Sequence, residues 1–253
     1  MREGESIIVR HGDKGKWKIN EEELRAELPP DEAELVLSVL GSEFEELTET
    51  PLKLEGVKRS LRLGDALFES LPQQSVLVSI DSGKDRAQLT RALATARIAQ
   101  REAQDRARDD KTAKRIDMLH VDEEELVKMM ADSSDKTWTP YAEMMTKDGI
   151  SEAEAVARWL NDMNTPETQV DPAIHPKESA ERYRRAIQEL RSRITSDNVP
   201  VVLFGAGHSG SLGQIRYEKL GGRAATAEDA PKFCEMFRFD KDGNLVDAEG
   251  VEI

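Results

Sequence analysis

Three short stretches of nearly unbroken apolarity interrupt a chain that is otherwise rich in charge: residues 6–9, 75–80 and 199–204. Successive side chains of a strand point to opposite faces, so apolar residues at consecutive positions predict strands covered on both sides. A fourth run spans 233–239. Asp240-Lys241-Asp242-Gly243-Asn244 follows it as a turn by composition, and Leu245-Val246 is placed to return as its partner.

Between these runs the apolar spacing changes to that of helices. After Pro51, the positions Val57, Leu61, Gly64, Leu67 and Leu71 share one face, and from Arg86 the positions Leu89, Ala92, Leu93, Ala96 and Ala99 do the same. Ser151-Glu152-Ala153-Glu154 reads as a capping box ahead of Val156, Trp159, Leu160 and Met163. Tyr183, Ile187, Leu190 and Ile194 mark a further helix that ends before the third strand. Strands alternating with helices predict a three-layer α/β/α sandwich around a mostly parallel sheet. The polar stretch 109–176 fits this alternation least well and is read as an insertion or cap. No Gly/Pro/Ser linker flanks it, so residues 1–253 are expected to form a single domain.

Charge narrows the partners. A formal net charge of −14 makes nucleic acid and anionic membrane poor partners for the molecule as a whole. It leaves room for a small basic pocket, because screening confines an anion's view to its nearest neighbours. The lone Cys234 excludes an intrachain disulfide and a cysteine-rich metal site, which predicts a reducing, cytoplasmic setting. The segment before the first strand is too short and too charged for a leader, so none is expected, nor is a membrane span. Association into a homo-oligomer is left open.

Each strong strand runs into residues that suit a phosphoryl group. The first ends in Arg10-His11-Gly12, the second in Ser82-Gly83-Lys84-Asp85-Arg86-Ala87-Gln88-Leu89-Thr90, and the third in Gly205-Ala206-Gly207-His208-Ser209-Gly210. Ligands of open α/β sheets bind in the crevice beyond the carboxyl ends of the strands. Two histidines and two arginines there make a cationic pocket in an acidic protein. An imidazole nitrogen can attack phosphorus, a guanidinium fork can grip the non-bridging oxygens, and a glycine such as Gly12 lets backbone approach closely.

These motifs resemble those of the histidine phosphatase superfamily, which includes the phosphoglycerate mutases. Arg10-His11-Gly12 matches its signature; Ser82, Arg86, Ala87 and Thr90 match its second-arginine pattern; His208 stands where its second histidine follows a late strand. Pro51-Leu52-Lys53-Leu54-Glu55-Gly56 and Glu178-Ser179 with Arg182 are similar to two further elements, and the resemblance runs in order over residues 6 to 240. It implies a phosphoglycerate mutase-like fold. It also implies hydrolysis of a small phosphorylated substrate, a phosphomonoester, through a phosphohistidine on His11. Arg10, Arg86 and His208 would stabilise the transferring group, with Gly12 and Ser209 beside the phosphate. No cofactor and no metal are required, since side chains supply the cations.

The chain departs from the pattern in three places. Lys53 replaces a usual threonine, His208 sits in Gly-Ala-Gly-His-Ser-Gly, and the family's acid has no firm match. Asp117, Asp122, Glu123 and Glu124 are the candidates, with Glu123 preferred. Residues 13–17 do not follow the mutase pattern, which favours hydrolysis over mutase chemistry. Two alternatives remain beside this reading: a member of the same fold that binds phosphate without turnover, and a nucleotide-cofactor oxidoreductase using Gly205-x-Gly207-x-x-Gly210 as a dinucleotide fingerprint. His120 is read as a solvated helix start.

Overall fold

The computed structural model describes residues 6–12, 14–18, 21–43, 49–109, 111–131, 135–194 and 199–249; residues 1–5, on which the expectation of no leader rests, lie outside them. In chain order the elements are β1 (Ser6–Arg10), β2 (Lys14–Lys18), α1 (Glu21–Glu27), α2 (Pro30–Glu43), β3 (Glu49–Leu52), α3 (Leu54–Ser70) and β4 (Gln74–Asp81). Then come α4 (Asp85–Arg108), β5 (Arg115–His120), α5 (Glu124–Met130), α6 (Asp135–Lys147), α7 (Glu152–Met163) and α8 (Pro176–Arg193). The chain closes with β6 (Val201–Gly207), α9 (Ser209–Glu218), β7 (Met236–Phe239) and β8 (Leu245–Glu249).

Six strands form one sheet in the order β5-β4-β6-β1-β7-β8. The first four are parallel to one another, β7 runs antiparallel to β1, and β8 returns antiparallel to β7. Consecutive apolar residues serve opposite layers, as the pattern predicted. Ile7, Val9, Leu77, Val202 and Phe204 pack against Leu63 and Leu67 of α3 and Ala94 and Ile98 of α4. Ile8, Val78, Ile80 and Leu203 face the other way, onto Tyr183, Ile187 and Leu190 of α8 and Leu212 and Ile215 of α9. The α/β/α sandwich with a mostly parallel sheet is therefore present.

Two smaller clusters complete the packing. α1 and α2 cover α3 and α4 through Leu24, Val36, Leu61 and Leu93. α6 and α7 join through Tyr141, Trp138, Trp159 and Leu160, which reach Ala230 and Tyr217 on the body.

The stretch read as an insertion begins differently from expectation. Its residues Arg115–His120 are β5, the edge strand of the main sheet, paired in parallel with β4. Ile116 is its one buried residue, so no apolar run marks it in sequence. His120 is consequently the last residue of a strand rather than a helix start, with Nδ1 3.1 Å from Ser79 O. The helices α1 and α2 and the antiparallel β2–β3 ribbon form outside the runs and stripes set out above, although Ala33, Val36, Leu37 and Leu40 of α2 stand at helical spacing.

Candidate active site

Strand register builds the site. Arg10 stands opposite Gly207 across β1 and β6, and Asp81 stands opposite Ala206 across β4 and β6. The residues that follow, His11, His208 and Ser82, leave three adjacent strands at nearly one level. His11 N–H donates to Gly207 O at 3.0 Å, which extends the ladder one step beyond the strand and draws the two histidines together. Their ring centroids lie 5.2 Å apart, edge to face.

His11 is buried, and its Nδ1 lies 2.7 Å from Gly12 O. A carbonyl can only accept, so Nδ1 carries the hydrogen and Nε2 holds the lone pair. Burial pushes the imidazole well below its ordinary pKa of 6.5, and neighbouring His208, Arg86 and Arg10 push the same way; the Gly12 hydrogen bond opposes them weakly. The ring is thus held neutral, with its nucleophilic nitrogen set by the backbone.

His208 is fixed from three sides. Ser82 Oγ lies 2.7 Å from its Nε2, and Arg86 NH2 lies 3.4 Å from its Nδ1. A guanidinium only donates, so in this arrangement Nδ1 accepts and Nε2–H points at Ser82. The backbone N–H of His208 donates to the buried Tyr183 hydroxyl at 3.2 Å. Ser82 is held by a tight turn whose Gly83 (φ +69°) donates its N–H to Asp81 Oδ1 at 2.8 Å. Asp81 Oδ2 takes Arg91 Nε at 2.8 Å, a buried ion pair that steadies this corner. Arg86 Nε is buried and has no hydrogen-bond partner among the described residues.

Arg10 approaches from the opposite side. Its NH1 donates to Pro231 O and its NH2 to Glu152 Oε1, each at 2.6 Å. Its guanidinium lies 3.9 Å from the centre of the Phe233 ring, a cation–π contact. Cys234 takes the left-handed φ of 56° and donates its N–H to Arg10 O at 3.0 Å. That non-glycine strain is tolerated where it ties the Phe233 turn to the Arg10 backbone.

Of the residues expected at the site, the structure brings Arg10, His11, Arg86 and His208 together, with Ser209 half-buried at the first turn of α9. Gly12 serves packing at this edge. Its N–H donates to Thr90 Oγ1 at 2.8 Å, and a Cβ there would lie 2.8 Å from Gly56 O, so its bareness accommodates the close approach of α3. Glu123 does not join the group. Its exposed carboxylate pairs with Arg193 at 2.5 Å, at the end of α8 where Arg191 binds Ser6 at the start of β1. Five residues of strand separate Ser6 from His11, about 17 Å. Asp117, Asp122 and Glu124 are exposed, and Glu124 pairs with Lys128. Sequence reasoning missed Glu152, Phe233 and Tyr183: the first reads as a helix cap and the aromatics read as core.

Packing accounts for two of the three glycines of the dinucleotide fingerprint. A Cβ on Gly205 would meet Ile8 Cδ1 at 2.6 Å and Met130 Cε at 3.0 Å, and one on Gly207 would meet Tyr183 Oη at 1.5 Å. Protein side chains, not a cofactor path, occupy the space these glycines leave.

The sequence matches no protein-family model and no curated protein. Among solved structures, the chain is similar to Bacillus stearothermophilus YhfR, at 14% identity over 98% of this chain and 97% of that one, with a TM-score of 0.48. The mycobacterial glucosyl-3-phosphoglycerate phosphatase Rv2419c in complex with inorganic phosphate gives 13% identity, 98% and 97% coverage, and a TM-score of 0.47. A protein described as mycobacterial hydrolase 1 gives 13%, 94% and 91%, and 0.46. At such scores the weight rests on the sheet order and on the side chains gathered at its edge.

Proposed function

We propose that this chain is a phosphomonoester hydrolase of the histidine phosphatase type, working through a phosphohistidine on His11. One observation carries the reading: a neutral, buried His11 whose Nδ1 is committed to Gly12 O stands among Arg10, Arg86 and His208. Nε2 is left to attack phosphorus. Arg86 Nε, a buried donor without a partner among the described residues, gains one in a phosphate oxygen. Arg10 flanks the same group, so the charge that spreads over the equatorial oxygens meets guanidinium charge already in place, and His208 donates to it by exchanging its Nε2–H contact with Ser82 Oγ for a phosphate oxygen. Forming the phosphohistidine and then hydrolysing it divides one difficult displacement into two easier ones.

Replacing His11 tests this. His11→Ala is expected to abolish release of p-nitrophenol from p-nitrophenyl phosphate and to abolish acid-labile phosphate labelling of the protein. Unchanged turnover in that variant would falsify the role given to His11. Binding without turnover is the second reading, favoured by the distance of Glu123 from the histidines. It predicts that folded wild-type protein takes up phosphate or vanadate, seen as a thermal shift, yet releases no product at any pH from acidic to neutral.

A further inference from the structure

We infer that Glu152, on the first turn of α7, is the acid that protonates the leaving oxygen and the base that then activates water. This rests on the hydrolase reading above. Glu152 is a carboxylate that the structure places, among the described residues, on a cationic group of the site: its Oε1 lies 2.6 Å from Arg10 NH2 across 142 residues of sequence. Its side chain is 20% exposed, enough for water to reach it while the partner arginine stays buried.

The position is built rather than incidental. Ser151 caps α7 by accepting from Glu154 N–H at 3.1 Å, and Glu154 turns outward to Arg158. Glu152 is therefore not needed for the cap. Further along the helix, Asn161 makes a reciprocal pair with Ala225, donating to its O at 2.9 Å and accepting from its N–H at 2.7 Å. Asn164 donates to Gln214 of α9 at 2.9 Å. Leu160 packs with Ala230, next to the Pro231 whose carbonyl holds Arg10. The same short segment thus anchors both the helix that carries Glu152 and the arginine it touches.

Chemistry follows from two anions sharing one guanidinium. A phosphomonoester monoanion brought to Arg10 lies within reach of the Glu152 carboxylate. Its proton passes to Glu152. The His11 Nε2 lone pair then forms the N–P bond, the P–O bond to the alcohol breaks, and the leaving oxygen takes the Glu152 proton to depart as ROH. In the second half Glu152 takes a proton from water and the water oxygen bonds to phosphorus. The N–P bond breaks with its electron pair returning to Nε2, and inorganic phosphate results.

Leaving-group dependence separates this role from one of merely positioning Arg10. For Glu152→Gln, turnover of glycerol 2-phosphate, whose alkoxide leaves poorly, is expected to fall 10²- to 10⁴-fold. With p-nitrophenyl phosphate the variant should still give a burst of about one nitrophenol per site, because that leaving group needs no proton, and phosphoenzyme should accumulate. Glu152→Asp, which keeps the carboxyl, should recover part of the alkyl phosphate rate. Wild-type rates on glycerol 2-phosphate in Glu152→Gln, or equal losses on both substrates with no burst, would overturn the assignment while leaving the His11 reading intact. Absence of turnover on both substrates in folded wild-type protein would remove the hydrolase reading and this assignment with it.

Discussion

Placing a methyl group on Gly207 tests how the site is held. Gly207 ends β6 immediately before His208, and the ring of Tyr183 lies over its Cα. A Cβ built there would stand 1.5 Å from Tyr183 Oη, 2.6 Å from Cζ and 3.0 Å from Cε1. Tyr183 is 0% exposed and its hydroxyl accepts from His208 N–H at 3.2 Å, so the ring cannot swing into solvent. Overpacking of this kind costs about 1–3 kcal/mol, and leaving the His208 N–H unpaired costs about 1–3 kcal/mol more. Gly207→Ala should therefore lose about 2–6 kcal/mol in urea unfolding and lose the thermal shift given by millimolar phosphate. Gly41→Ala is the control: nothing lies within 4 Å of its Cβ and it sits inside α2, so a gain of about 0.5–1 kcal/mol is expected. Adding Tyr183→Phe to Gly207→Ala removes the closest atom but leaves the ring carbons, and should recover only part of the loss. Wild-type stability and an intact phosphate shift in Gly207→Ala would refute the account of Tyr183 as the brace behind His208.

Two other outcomes follow from groups at the strand ends. Since the folded state holds the His11 pKa below 6.5, the unfolded chain binds the extra proton as pH falls through that value. The stability His11 contributes is full above pH 6.5 and declines below it, at up to about 1.4 kcal/mol per pH unit, so His11→Gln should flatten the difference in unfolding free energy between pH 7.5 and 5.5; a steeper difference would contradict the burial argument. Asp81→Asn leaves Arg91 buried without its carboxylate, which should cost about 3–5 kcal/mol in urea unfolding and loosen the Ser82 contact to His208, read as a weaker phosphate shift.

Much of the architecture is written locally. Runs such as Ile7-Ile8-Val9 and Val201-Val202-Leu203-Phe204 must be covered on both faces, and that requirement alone implies helices above and below a parallel sheet. Arg10-His11, Arg86 and His208 are legible for the same reason: each follows an apolar run or starts a helix, and the carboxyl edge of such a sheet gathers what its strands deliver. β5 escapes this logic, because an edge strand with one buried residue needs no apolar run. The acid escapes it for a deeper reason. Glu123 and Glu152 are both acidic residues at helix starts, a setting in which any carboxylate is favourable, so local chemistry does not distinguish them. Which one meets Arg10 depends on how α7 docks against α9 and the 225–231 segment, and on α5 aiming Glu123 toward the far end of α8. Contacts between residues so distant along the chain exist only once the layers have packed, and it is packing that sets one helix-start carboxylate against Arg10 and the other against Arg193 at the end of α8.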